Sequence, residues 1–115
     1  MVDRRRRSST AEGYEHIDRA RRLLGQGGPP RETLEQAALA FWKAVLYRDT
    51  WPELLRSDAA ALIAALFRHG PIGVTIARMD ERSVAETMDA MREFCDLFLN
   101  WTGPAEENDP ERHGQ

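Results

Sequence analysis

Residues 80–102 constrain the fold more than any other stretch of this chain. Their apolar residues fall at Val84, Met88, Met91, Cys95 and Phe98, spaced four, three, four and three. That spacing returns to one side of an α-helix and fits no strand, whose sides alternate every second residue. A second row, Ala90, Phe94, Leu97 and Trp101, runs beside the first. A polar row, Arg82, Glu86, Asp89, Glu93, Asp96 and Asn100, forms the remaining edge. The pattern predicts one long helix with a broad apolar body, around which other helices must pack. Asp80 is placed to cap its start, and Gly103-Pro104 to end it. Arg82–Glu86 and Arg92–Asp96 stand at i,i+4 and predict weak ion pairs on the solvated edge.

The preceding chain supplies three further helices. The first starts near Thr10 or Ala11 and presents Tyr14, Ile17, Ala20 and Leu24 on one face, with Leu23 beside it. Gly25 stops it, and residues 25–30, Gly-Gln-Gly-Gly-Pro-Pro, make a turn, because glycine frees the backbone and proline forbids continuation. No strand precedes these glycines and no Gly-Lys-Ser/Thr follows, so they are a linker and not a phosphate loop. Pro30 opens the second helix, whose buried face reads Leu34, Ala38, Phe41, Trp42 and Val45, flanked by Ala37 and Leu46. It ends near Arg48 or Asp49. Thr50 and Glu53 then have the spacing of a capping box. Leu62, Ile63, Leu66 and Phe67 face inward from the third helix before Gly70-Pro71, and 51–69 fit either one bent helix or a short turn followed by a helix. Residues 71–79 alternate like a strand at Ile72, Val74 and Ile76. A lone strand has no partner in this chain, so the segment reads as an apolar connector over the core.

At 115 residues the chain is one domain, long enough to bury a core. The expected organisation is a basic disordered arm at 1–10, an all-α, four-helix up-down bundle-like domain at 11–103, and an acidic disordered tail at 104–115. The arm holds Arg4–Arg7, and the tail holds Glu106, Glu107, Asp109 and Glu111, so the net charge of -3 calls for no nucleic-acid partner. One cysteine cannot form an internal disulfide. No apolar run approaches the ~18 residues that a membrane span needs, and none follows the N-terminal arginines as a secretory signal would. A cytoplasmic location is the expectation.

Chemistry finds little footing. His16 lies four residues after Glu12, whereas bundle di-iron sites use Glu-x-x-His at three-residue spacing on two helices. His69 sits at a helix end and His113 in the tail. Cys95 is central in the main apolar row, the setting of an inert core thiol. No serine stands in a Gly-x-Ser-x-Gly elbow. The expectation is no catalytic residue, no metal ligand and no cofactor.

Two stretches resemble known families. Residues 62–91, from Leu-Ile-Ala-Ala-Leu-Phe-Arg-His-Gly-Pro-Ile to Asp89-Ala90-Met91, resemble a winged-helix transcription regulator, in which a helix ends in a Gly-Pro turn and a later helix reads DNA. The resemblance implies that Asp80-Glu81-Arg82-Ser83-Val84 opens the reading helix, and its acidic face opposes phosphate. Residues 17–46, with Gln36-Ala37-Ala38 and Lys43-Ala44-Val45-Leu46, look like the opening of a HEPN-type helical domain. Nuclease members of that family carry an arginine and then a histidine four to six residues later. Here Arg68 directly precedes His69.

What remains is surface. Phe94, Leu97, Leu99 and Trp101 widen the last helix beyond one core stripe, and Trp51 adds aromatic area. These five are the expected partner-binding residues, for another protein or for a second copy of the chain. The competing reading places Trp101 at the end of the bundle and Trp42 at its centre. The leading expectation is a non-catalytic interaction or regulatory protein, with DNA binding through 62–91 and a HEPN-like RNA-associated role as alternatives.

Overall fold

The computed structural model describes residues 2–107, with side chains described from 13 to 101. The described elements are all helical: α1 (Val2–Gly25), α2 (Pro30–Val45), α3 (Glu53–Leu66), α4 (Ile72–Arg78) and α5 (Glu81–Glu107), with a 3-10 turn at Arg48–Thr50. The side chains of the basic arm expected at 1–10, and most of the tail expected at 104–115, lie outside the described residues. α1 is assigned from Val2, earlier than Thr10, and no glycine or proline between 2 and 12 interrupts it. α5 continues through Gly103 and Pro104 to Glu107. Pro104 removes one helical donor, and a single turn follows it.

Gly27 and Gly28 shape the turn between α1 and α2 with φ of 82° and 100°. A Cβ disfavours that left-handed backbone, so the glycines are there for geometry. The short turn folds α1 and α2 into a helical hairpin. α5 lies against α1, α2 and α3, and α4 lies mainly against α2. The core is one continuous cluster. Ile17 and Ala20 come from α1, Leu34 and Phe41 from α2, Leu66 from α3, Ile76 from α4, and Met91, Cys95 and Phe98 from α5. Phe94 meets Phe41 edge-on at 5.4 Å and 87°, a favoured aromatic geometry.

Residues 71–79 correct the expectation of an apolar connector. They form α4, in which Ile72 and Ile76, one turn apart, are buried while Val74 between them is exposed. Alternating Ile, Val and Ile mimicked a strand, but only the i,i+4 pair meets the core. Thr75 is buried beside them. Its hydroxyl donates to the Gly70 carbonyl at 3.2 Å and accepts the His69 N–H at 3.0 Å. Arg31 of α2 donates to the carbonyls of Ile76 and Met79 at the far end of α4, the latter at 2.7 Å.

The capping box expected at Thr50 and Glu53 does not form. Pro52 precedes α3 without a side-chain cap, and Thr50 donates instead to the Tyr47 carbonyl at 3.1 Å. α2 ends at Val45, a few residues before the expected Arg48 or Asp49, because the 3-10 turn takes over. The cap on α5 is as expected: the Ser83 N–H donates to Asp80 Oδ1 at 2.7 Å.

The Ser83 backbone and hydroxyl hydrogen bonds hold the Asp80 carboxyl below its ordinary 3.8. A depressed acid stabilises the fold above its unfolded pKa and stops doing so as pH falls through the lower folded value. Asp80→Asn keeps a capping oxygen and loses the charge. Its stability gap from wild type is expected to be present at pH 6 and to narrow below pH about 3.8. Urea denaturation at the two pH values measures this, and a gap that is constant with pH contradicts it.

Candidate functional site

α5 wraps its broad apolar surface inside its own chain. Of the five residues expected to bind a partner, Phe94 is 2% and Trp51 3% exposed. Trp51 stands over Phe98 at 5.0 Å and beside Phe94 at 5.8 Å. Trp101 closes the row edge-on to Phe98 at 5.4 Å, and Leu99 packs partly buried against the core. Leu97 alone of the five is an exposed large apolar residue, at 41%. The structure brings Trp51, Phe94 and Trp101 together around Phe98 as an aromatic interior. The buried Trp51 Nε1 has no hydrogen-bond partner among the described residues.

Exposed apolar area gathers on α2 instead. Leu39, Trp42 and Leu46 are 47%, 38% and 71% exposed. Their spacing of three and four puts them on one line along the helix. Trp42 was expected at the centre of the bundle; it lies on the outer side, with its ring against Phe67 at 4.8 Å and 61°. Phe41, Ala44 and Val45 hold the inner side, all buried. α2 is apolar on nearly its whole circumference between 37 and 46, the pattern of a helix enclosed on every side. That excess was visible in the sequence, but it points outward on α2 and not on α5. Leu39 is the residue that sequence reasoning missed.

Beside this line runs a groove of about 660 Å³ between α1 and α2. Tyr14, Leu23, Leu39 and Ala40 give it an apolar floor. Its walls carry both signs, with Glu15, Asp18, Arg19 and Arg22 on α1 and Lys43 on α2, and Arg22 pairs with Asp18 at 3.2 Å. His16 lines the same groove and stacks on Tyr47 at 6.4 Å and 19°. An apolar floor with a charged rim of mixed sign is the anatomy of a protein-binding surface. Away from the groove, the Cys95 thiol is buried in the core, and burial pushes its pKa up to about 12.

The remaining sequence candidates are placed as follows. Residues 62–91 form the end of α3, then α4, then the first turns of α5. The exposed residues there include Glu81, Glu86 and Asp89, and Arg82 is engaged with Glu86 at 3.0 Å. Phosphate meets net negative charge on that face. Arg92 pairs with Asp89 at 3.0 Å, not with Asp96 as the i,i+4 spacing predicted. Asp96 is taken by Arg21 at 2.8 Å, so the acid meant for a pair within α5 ties α5 to α1 instead. Among the described residues no group of three or more histidine, cysteine or acidic side chains could hold a metal ion. Among them, too, no helix is long and apolar enough to cross a membrane.

Comparison with known proteins finds no match: no family model, no curated protein and no solved structure pairs with this chain.

Proposed function

We propose that this protein works by binding another protein through the outer face of α2, without catalysing a reaction. The observation that carries the reading is the line of Leu39, Trp42 and Leu46, left 47%, 38% and 71% exposed by a chain that encloses almost every other large apolar residue of α2. Isolated exposed leucines are ordinary; a tryptophan and two leucines in register, bordered by a groove with charged walls, mark an interface. The scaffold is an up-down bundle of α1, α2, α3 and α5, with α4, which follows α3 in the chain, laid mainly against α2. Contacts of α1 with α2 and α5, and of α3 with α5 and α2, support that ring of neighbours.

The test compares wild type with the double variant L39Q/L46Q. Both positions are exposed, so the variant is expected to fold, which circular dichroism checks. Tagged protein is crosslinked in the cells that make it. The expected result is a defined crosslinked complex with wild type that the folded variant loses. The same complex formed equally by both proteins overturns the reading.

A further inference from the structure

We draw no further inference here: the strongest candidate, the alanine-floored groove between α3 and α5 rimmed by Asp58, Glu86 and Glu93, rests on an acidic cluster over small residues, and nothing in the structure shows what covers it.

Discussion

Phe94→Ala is expected to cost about 3–5 kcal/mol of folding stability. The side chain is fully enclosed, edge-on to Phe41 at 5.4 Å, tilted against Trp51 at 5.8 Å and close to Phe98 at 6.1 Å. Truncation removes the transferred apolar area and leaves a ring-sized cavity among three aromatic neighbours, which cannot collapse without moving α2 against α5. The loss is comparable with the whole stability of many domains, about 5–15 kcal/mol. Phe94→Leu keeps most of the volume and is expected to lose less, so it remains measurable if the alanine variant unfolds. Leu97→Ala, three residues away but exposed, is expected to change stability by no more than about 0.5 kcal/mol. Urea denaturation of the three variants measures the contrast. A Phe94→Ala protein as stable as wild type contradicts the enclosure of α5.

That contrast marks how far the sequence could be read. The helical character of 80–102 was legible because its four-three spacing admits no other regular structure, and the Asp80 cap was legible because it is local. Which side of a broad apolar helix meets solvent is not local. Phe94 and Leu97 belong to one sequence row, yet Phe94 faces α2 and Leu97 faces out. The outcome depends on where α1 and α3 lie, and no spacing within α5 encodes that. The same limit explains α2. Leu39, Trp42 and Leu46 looked like flanking or central residues of a buried helix, because an apolar circumference does not say which arc remains uncovered. Residues 71–79 failed for a different reason. Two turns of helix and a short strand both place Ile72 and Ile76 on one side, and only the burial of Thr75 and the exposure of Val74 separate them. Exposed apolar area was therefore readable as a kind of surface, apolar and aromatic on a helix, but not by position: Phe94 and Trp51 are buried, while Leu39, Trp42 and Leu46 are exposed.

Replacing Arg31 is expected to destabilise the protein by about 1.5–3 kcal/mol, the range for hydrogen bonds that involve a charged group. Arg31 reaches from the first turn of α2 to the carbonyls of Ile76 and Met79, where α4 ends. Those carbonyls stand at the negative end of a seven-residue helix, and a guanidinium there satisfies acceptors and complements the helix dipole together. A helix this short is not stable alone, so its order depends on such ties and on Ile72 and Ile76. Arg31→Met keeps the apolar stem and removes the donors, which isolates the hydrogen bonds from packing. Arg31→Lys retains one point charge without the planar fork and is expected to recover part of the loss. A loss of about 1 kcal/mol lowers the melting midpoint by about 4–8 °C in domains of roughly 60–100 residues, so the methionine variant is readily resolved. Hydrogen exchange gives the sharper test. Amides of α4 are expected to lose more protection than those of the α1–α2 hairpin, because the tie belongs to α4 while the hairpin keeps its own core. Equal loss across all helices would show that Arg31 stabilises the fold as a whole and not the end of α4.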